Sequence, residues 1–319
     1  MVRGDRLSHE GFPTMSVVIP TYNRRYVLTR TLDLLTCQSR IPDEVVIVDQ
    51  SEASEEREAI RKHCQMLTES GAIQVRYSYY ERPRVYEARN VGARVANGHV
   101  ILYLDDDILP DKRLVEWHAR NYRDSSVDAV VGYIRQAHET EVFVDRLDVD
   151  LDPAAIAYRF IPKEKKRRTV CYCAAGNFSV RRSVLYSVGG WNELIVTYGD
   201  KEMGIHLCRH GHRIVYEPRA RLVHLQVPRG GTRLSDRSAP WSPVQRAFSI
   251  MYTACRHLSG WDIVRFGLWR AARHTVLLKR NALDPGGWWS ESVGLVRGVV
   301  KALYYADKAR ENYLADLFR

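Results

Sequence analysis

The first half of the chain alternates short β-branched runs with segments of helical spacing. Ser16–Pro20 and Asp43–Asp49 are rich in valine and isoleucine, as strands buried on both faces of a parallel sheet are. Between them, Tyr26–Cys37 places apolar residues along one face of a helix, at Val27, Leu28, Leu32, Leu34 and Leu35. These three segments predict a β-α-β unit.

The same alternation continues as far as residue 104. Helices are predicted at Glu55–Met66 and Tyr86–Ala96, and strands at Ile73–Tyr80 and Val100–Leu104. Strands that alternate with helices predict an α/β fold, an open and mainly parallel sheet with right-handed crossovers. Ligands of such sheets bind beyond the carboxyl ends of the strands, so the residues after Ile19, Val48 and Leu104 are the first functional candidates.

The pattern after residue 110 is less regular and suggests three parts for the whole chain. The remaining predicted elements are a strand at Val127–Gly132, a surface loop or lid over 139–168, a strand-and-turn region at Val170–Val180, helices at Ser183–Val188 and Lys201–His210, and a strand at Arg213–Tyr216. From Trp241 onward the pattern is helical. We therefore predict a polar leader at 1–14, an α/β domain at 15–232 and a helical extension at 233–319.

Composition limits the class of protein. Hydrophobic residues make up 45% and charged residues 27% of the 319 positions, as in an ordinary globular protein. The apolar runs are too short for a spanning helix, and the first fourteen residues do not have the apolar core of a signal peptide. A cytoplasmic location is expected. The six cysteines form no C-x-x-C pair, so we expect reduced thiols rather than a zinc or redox site.

The formal net charge of +10 suggests an anionic partner. Residues 241–319 contribute 12 lysines and arginines against 6 acidic residues, and five of the seven tryptophans. This basic, tryptophan-rich extension fits peripheral contact with the inner face of a membrane, packing on the catalytic domain, or a homodimer. The chain carries no recognisable nucleic-acid module, so no nucleic-acid partner is expected.

Three consecutive aspartates, Asp105, Asp106 and Asp107, follow the apolar strand 100–104. Mutual repulsion would raise their pKa values unless a cation lies among them. Carboxylate oxygens are the ligands preferred by Mg²⁺ and Mn²⁺, which predicts a divalent metal site. The alternative is a solvated acidic turn that caps the helix following Pro110.

The order of several motifs resembles that of family 2 glycosyltransferases. The matching segments are Val17–Arg24, Val46–Ser51, Ala88–Gly92, Ala96–Gly98, the aspartates, Gly176–Ser179 and Gly189–Glu202. The resemblance covers roughly residues 15 to 232. It implies a glycosyltransferase-A fold, a nucleotide diphosphate sugar donor and sugar transfer with inversion.

The resemblance also implies roles for individual residues. Asp105 and Asp107 match the D-x-D aspartates, which hold Mn²⁺ or Mg²⁺ and lie near the ribose, and the position of His224 matches a third metal ligand in some relatives. The implied donor-binding residues are Pro20, Thr21, Tyr22, Asp49, Arg89, Asn90, Asp105 and Asp106. Gln50 stands where the family usually has Asp or Gly, which leaves the base of the donor open, with a UDP donor favoured. Gly230 and Gly231, with Arg229 or Arg233, suggest a loop that closes over the diphosphate or a plain linker.

An inverting transfer needs one general base on the acceptor side. Asp200 is the candidate, with Glu202 as the fallback or as a contact for the acceptor; both residue types also suit the first turn of a helix. Gly199 replaces the family's usual glutamate, so a catalytically impaired nucleotide-sugar-binding protein is the alternative. A nucleotidyltransferase is less favoured, because the chain lacks a glycine-rich, lysine-containing loop near its start. The expected acceptor is a glycan or lipid-linked hydroxyl in surface polysaccharide synthesis.

Overall fold

The computed structural model describes residues 11–137, 166–227, 230–231 and 243–258, and pieces of the chain beyond (261–263, 265–266, 293, 296–301 and 303–304). Most of the predicted leader, nearly all of the predicted 139–168 loop, Arg229, Arg233 and much of the extension lie outside these ranges.

The elements alternate as the sequence pattern predicts. The strands are β1 (Met15–Thr21), β2 (Glu44–Asp49), β3 (Val75–Tyr79), β4 (Val100–Leu104), β5 (Ile108–Pro110), β6 (Ala129–Gln136), β7 (Arg168–Val170), β8 (Asn177–Arg181) and β9 (Ile214–His224). The helices are α1 (Arg25–Thr36), α2 (Ser54–Glu69), α3 (Val85–Val95), α4 (Leu114–Asn121), α5 (Arg182–Ser187), α6 (Gly199–Arg209) and α7 (Pro243–His257).

Within the described part of the chain, these strands form one sheet in the order β3-β2-β1-β4-β8-β6-β9-β5, and β7 also pairs with β9. The four strands β3, β2, β1 and β4 run parallel, which confirms the predicted crossovers. Beyond β4 the sheet is mixed, because β8 is antiparallel to both of its neighbours. The carboxyl ends of β1 and β4 therefore open onto one edge, where the candidate residues lie.

The core lies between the sheet and its flanking helices. Every residue of β1, β2 and β4 is buried, as their continuous β-branched runs predict. Helix α1 turns Leu28, Leu32 and Leu35 inward. Trp191, in the turn before α6, is the largest fully buried side chain described, and its ring contacts those of Tyr103 and Phe178.

The sequence predicts a short strand at Arg213–Tyr216 and a last strand that ends at His224, and the structure joins the two as one strand, β9. Its pairing with β6 shifts from Glu217 beside Gly132 to Arg221 beside Tyr133, so a bulge accommodates Pro218. A proline cannot donate a ladder hydrogen bond, which is why the strand pattern is interrupted there. The continuation brings His224 to the end of β4.

Helix α7 of the C-terminal extension packs on the catalytic half. Its buried face includes Phe248, Met251 and Tyr252, and the Ser249 hydroxyl accepts a hydrogen bond from the Val196 amide at 3.2 Å. Packing on the core, one of the three options that the sequence left open, is therefore observed for this helix. Among the described helices, none is both long and apolar enough to cross a membrane.

The expectation of six reduced cysteines is wrong for one pair. Cys171 and Cys208 form a disulfide that joins the segment after β7 to α6, with Cα atoms 5.7 Å apart. The two residues are 37 positions apart in sequence, so no local motif marks them; the pairing of β7 with β9 brings them together. Cys64, Cys173 and Cys255 are buried thiols, as expected.

Candidate active site

A cleft opens at the carboxyl ends of β1, β4 and β9 and encloses about 630 Å³, part of it open to solvent. The residues that line it are Pro20, Thr21, Tyr22, Arg24, Gln50, Pro83, Val85, Asp105, Asp106, Asp107, His224 and Gly231. Most of the predicted donor-binding and metal-binding residues thus share one cavity. The amide of Gly231 donates to the Tyr22 carbonyl, which places this part of the glycine loop at the rim.

Asp105, Asp107 and His224 converge at one point of the cleft. His224 Nε2 lies 3.0 Å from Asp107 Oδ1 and 3.9 Å from Asp105 Oδ2. Gly176 lies against Asp105 on the other side, where any Cβ would overlap the carboxylate. Because Gly176 has no side chain, it leaves room for the Asp105 carboxylate.

The chemistry of these three side chains suits a divalent cation. The Gln136 side-chain oxygen lies 2.9 Å from His224 Nδ1, and because an amide oxygen only accepts, Nδ1 carries a proton. Nε2 faces the two carboxylates: in the protonated ring it donates to Asp107, and in the neutral ring with the proton on Nδ1 it offers a lone pair to a cation. Adjacent ligands of an octahedral ion with bonds of about 2.1 Å lie about 3.0 Å apart, which is the His224–Asp107 separation. These residues fit an Mg²⁺ or Mn²⁺ ion.

Charge at Asp107 is stabilised despite its burial. Burial raises the pKa of the carboxyl, but the hydrogen bond with His224 and the positive charge of Arg24 outweigh it, so the pKa lies below its ordinary value. The Val227 amide also donates to Oδ2 at 2.9 Å. Asp107 is therefore ionised and oriented before any ligand binds.

Asp106 points away from this convergence. Its oxygens accept from the Thr21 hydroxyl at 2.8 Å and from Arg24 at 3.0 Å. Burial raises its pKa to about 6, and the charge of Arg24 limits the rise. Arg24 contacts both Asp106 and Asp107, a role that the sequence analysis missed; its place directly after the first strand, in the family-like motif, is the signal that pointed to it.

Arg89 of α3 bridges Asp105 and Asp200. Its guanidinium lies 3.6 Å from Asp105 and 3.3 Å from Asp200, and it stacks over the Trp191 ring at 4.8 Å. Burial disfavours the charge, but the two carboxylates outweigh that effect and raise the pKa of Arg89. A fixed cation therefore lies between the aspartates and the start of α6.

Asp200 occupies the first turn of α6 on the far side of Arg89. Its side chain is 42% exposed, and its Oδ2 accepts from the Ala175 amide at 3.2 Å. Desolvation raises its pKa above the ordinary value; Arg89 opposes this and Asp105 adds to it. An accessible carboxylate with a raised pKa, held across a cleft from a metal-type site, has the properties of a general base.

Gly199, the departure from the family pattern, has a packing explanation. The Tyr86 ring lies against its Cα, so any Cβ there would overlap the ring, and the Tyr86 hydroxyl accepts from the Gly199 amide at 2.8 Å. Tyr86 also stacks on Trp191, with ring planes 9° apart. Tyr86 thus fills the space beside α6 and positions the turn that carries Asp200.

We expect Gly199→Ala to destabilise the protein by about 1–3 kcal/mol, because the new methyl group meets a ring that stacking holds in place. Urea unfolding measures the change. The matched control is the same substitution in a Tyr86→Ala background, where the loss of free energy of unfolding should be less than half as large. Equal costs in both backgrounds would show that the ring is not the obstacle.

Glu202, the fallback base, faces away from the cleft. Its side chain is 1% exposed and binds Arg256 and His257 of α7. Glu202, His206 and His257 are close enough to form a metal site, but the Arg256 guanidinium lies between two of them, 3.2 Å from His206 Nε2, and supplies the positive charge. The cluster therefore acts as a contact between α6 and α7, and its position does not favour a role for Glu202 in catalysis.

We expect Glu202→Gln to lower the free energy of unfolding by about 3 kcal/mol, because it leaves Arg256 buried without a counter-charge. Burial raises the pKa of Glu202, but Arg256 and His257 lower it to about 2, against an ordinary 4.5. The wild type should lose this contribution as pH falls from 4.5 toward 2, and the variant should not.

Urea unfolding at several pH values tests this, with Glu58→Gln, in an exposed ion pair, as the control that changes little. A variant of normal stability that no longer transferred sugar would instead identify Glu202 as a catalytic residue.

Two predicted donor contacts lie beneath the cleft surface. Asn90 is fully buried, and its amide binds both backbone polar groups of Trp191 and the Glu193 carboxylate. Asp49 is also fully buried and accepts from the Ser51 amide and the Tyr77 hydroxyl. The structure gives both residues a positioning role rather than an open face toward a ligand.

The other predicted donor contacts line the cleft, except Arg89, which is buried behind Asp105. Pro20, Thr21 and Tyr22 form one wall, and the Tyr22 hydroxyl donates to Glu52. Gln50 lies beside this wall at the end of β2: its backbone amide donates to the Thr21 carbonyl at 2.9 Å, and its side-chain amide nitrogen donates to the Arg82 and Arg84 carbonyls. This wall is therefore rigid, and the loop before α3 is held against it.

Residues 16–189 match the profile of glycosyl transferase family 2. The chain belongs to glycosyltransferase family 2. The matched range includes β1 to β8 and the three aspartates, and it ends just before the turn that leads to α6. The predicted resemblance is confirmed.

Parts of this glycosyltransferase are similar to a glucosyltransferase and to a chondroitin synthase. It is 37% identical over 106 residues to validoxylamine A glucosyltransferase of Streptomyces hygroscopicus subsp. limoneus. The aligned segment is 33% of this chain and 22% of the relative. It is 25% identical over 254 residues to chondroitin synthase of Escherichia coli, covering 70% of this chain and 36% of the relative. The chain thus spans well under half the length of these relatives.

Solved structures confirm the predicted glycosyltransferase-A fold. S. aureus TarS in complex with UDP-GlcNAc superposes with a TM-score of 0.62 and 16% identity, over 94% of this chain and 89% of that one. Mannosyltransferase PcManGT from Pyrobaculum calidifontis in complex with GDP-Man and Mn²⁺ superposes with a TM-score of 0.52 and 18% identity, over 92% and 87%. The shared fold is what this glycosyltransferase has in common with both.

Proposed function

We propose that this enzyme transfers a sugar from a nucleoside diphosphate sugar to a hydroxyl acceptor, with inversion and with Mn²⁺ or Mg²⁺. The observation that carries the proposal is the arrangement around Arg89: a metal-type cluster of Asp105, Asp107 and His224 on one side and Asp200 on the other. Fold relatives bind UDP-GlcNAc, and GDP-Man with Mn²⁺, which supports this class of donor.

The donor would lie in the cleft, with its base against Pro20, Thr21, Tyr22 and Gln50 and its diphosphate toward Arg89. A UDP donor is the favoured choice. A bound divalent ion would neutralise the charge that develops on the departing nucleoside diphosphate. Arg89, already charged and fixed over Trp191, would stabilise the same charge without reorganisation.

Asp200 would take the proton of the acceptor hydroxyl. Inversion is a single displacement at the anomeric carbon, so the acceptor must approach from the side opposite the diphosphate. This role is supported by the accessible carboxylate of Asp200, which is 42% exposed, and by its contact with a different terminal nitrogen of Arg89 from the one that contacts Asp105. The similarity to chondroitin synthase supports a glycan or lipid-linked acceptor in surface polysaccharide synthesis.

The alternative, a nucleotide-sugar-binding protein without activity, rested on Gly199. Because Tyr86 fills the space beside Gly199 and positions the first turn of α6, the loss of the usual glutamate leaves Asp200 in place. The packing of Tyr86 therefore supports the active enzyme.

A thermal-shift screen of nucleoside diphosphates and their sugars, with Mn²⁺ and with a chelator, tests the proposal. A ligand at 100 times its dissociation constant stabilises the folded state by about 2.7 kcal/mol. We expect a clear rise in Tm with at least one diphosphate, and loss of the rise with chelator. No rise with any diphosphate would contradict the proposal; a rise without turnover would favour the binding protein.

A further inference from the structure

Exposed apolar side chains are concentrated in the C-terminal extension. Among the described residues, the large apolar side chains that are exposed in the catalytic half are Tyr26, Met66 and Tyr79, which lie on different elements. Few residues after 258 are described, yet five are of this kind: Trp261, Val296, Val300, Leu303 and Tyr304. Single exposed apolar residues are normal on a surface, whereas such a concentration marks an interaction site.

Four of the five share one face of a helix. Residues 296–301 and 303–304 are helical, and Val296, Val300, Leu303 and Tyr304 recur at intervals of four, three and one. Their exposed fractions are 63%, 61%, 56% and 74%. We call these four residues the outer stripe.

The opposite face of this helix is the one that packs on the protein. Gly298 lies about half a turn away from the outer stripe, and a Cβ there would meet the Phe248 amide nitrogen and the Val244 carbonyl of α7 at 2.8 Å. Val299 also packs against the core. The helix is therefore anchored on α7 through one side, which leaves a second apolar face turned outward.

Positive charge borders the outer stripe. Arg297 and Lys301 line the same shallow groove as Val296, Val300 and Tyr304. The sequence from 292 to 305 contains no aspartate or glutamate, and the extension from 241 to 319 carries +6 of the total charge of +10. The partner must therefore offer apolar groups and negative charge side by side.

We propose that the outer stripe docks on an anionic lipid surface. The apolar side chains would enter the boundary between headgroups and acyl chains, and Arg297 and Lys301 would pair with lipid phosphates. A second copy of this chain is a poorer partner, because a two-fold contact would bring Arg297 and Lys301 of both copies together without a counter-charge. The inference does not depend on the donor or on the base.

Co-sedimentation of the full chain with vesicles tests the proposal. We expect binding to phosphatidylcholine vesicles that contain about one third phosphatidylglycerol, and weaker binding at about 0.5 M salt than at about 0.1 M. Pure phosphatidylcholine should bind much less. Absence of binding to the anionic vesicles, or equal binding to both kinds, would overturn the proposal.

Variants locate the binding face. Val300→Glu should lower partitioning onto anionic vesicles by at least about 10-fold, and the double change Arg297→Gln with Lys301→Gln by about 20-fold. Met66→Glu, at an exposed apolar residue of α2 that is 52% exposed, is the matched control and should bind as the wild type does. Unchanged binding of both stripe variants would overturn the proposal.

The same variants separate lipid from a second copy. Analytical ultracentrifugation without lipid should show a monomer for the wild type and for Val300→Glu. A wild-type dimer that Val300→Glu dissociates would overturn the proposal in favour of a homodimer. Unfolding in urea confirms that each variant is folded, and the double glutamine variant, confined to two surface side chains, keeps the test valid if Val300→Glu is unstable.

Discussion

Replacing Asp200 by asparagine should lower the rate of sugar transfer by a factor of about 10² to 10⁴, the usual contribution of a general base. Asparagine has the same shape and can still accept from the Ala175 amide, so the fold and the start of α6 should be retained. Donor binding, measured by the thermal shift, should change little, because the donor is held on the aspartate side of Arg89. A radiolabelled or coupled transfer assay measures the rate.

The matched control is Asp33→Asn, at a carboxylate of α1 that is 59% exposed and lies outside the cleft. It should transfer at the wild-type rate. Wild-type turnover in Asp200→Asn would refute the assignment of the base. Because burial raises the pKa of Asp200, the wild-type rate should fall on the acid side at a higher pH than an ordinary aspartate would produce, since the base acts only when deprotonated.

Replacing Asp107 by asparagine should remove the Mn²⁺-dependent part of the thermal shift and lower transfer by at least about 10². The change removes the negative charge of a carboxyl that His224 and Arg24 keep ionised. The side-chain oxygen of asparagine can still accept the hydrogen bond from the backbone amide of Val227. The fold should therefore survive. Titration of nucleoside diphosphate with and without Mn²⁺ separates the loss of the ion from the loss of the nucleotide.

Asp106→Asn is the closest available control, since it changes the adjacent carboxylate in the same strand end. Thr21 and Arg24 already occupy the oxygens of Asp106, so this variant should keep the Mn²⁺ dependence and lose less activity. If Asp106→Asn abolished the Mn²⁺ effect and Asp107→Asn did not, the roles of the two aspartates would have to be exchanged.

The sequence predicts the arrangement of β1, β2 and β4 well because each is a continuous buried run that ends in, or is directly followed by, a polar residue. That rule brings Thr21 and the aspartates to one edge without knowledge of long-range contacts. The continuous course of β9 cannot be predicted in this way, because the bulge at Pro218 interrupts the apolar pattern. His224 was identified through the family resemblance, not through periodicity.

The remaining differences come from contacts between distant segments. Nothing near Glu202 in sequence indicates that Arg256 and His257 will bury it, and nothing near Asn90 indicates the Trp191 backbone. Motif position does not separate a side chain that faces the cleft from one that holds its neighbour in place. Only the fold makes that distinction.

Helix α6 is tied at three points along its length: to α3 through Tyr86, to α7 through Glu202, and to the segment after β7 through the Cys171–Cys208 disulfide. A helix held in this way cannot open alone. Its slowest amide protons should therefore exchange with solvent at the same free energy as those of α7, as members of one cooperative unit. A chain cut at residue 232 would lose α7 and expose the Glu202 side of α6. We therefore expect the predicted boundary at 232 to divide the family motifs from the extension but not to divide two independently folding units.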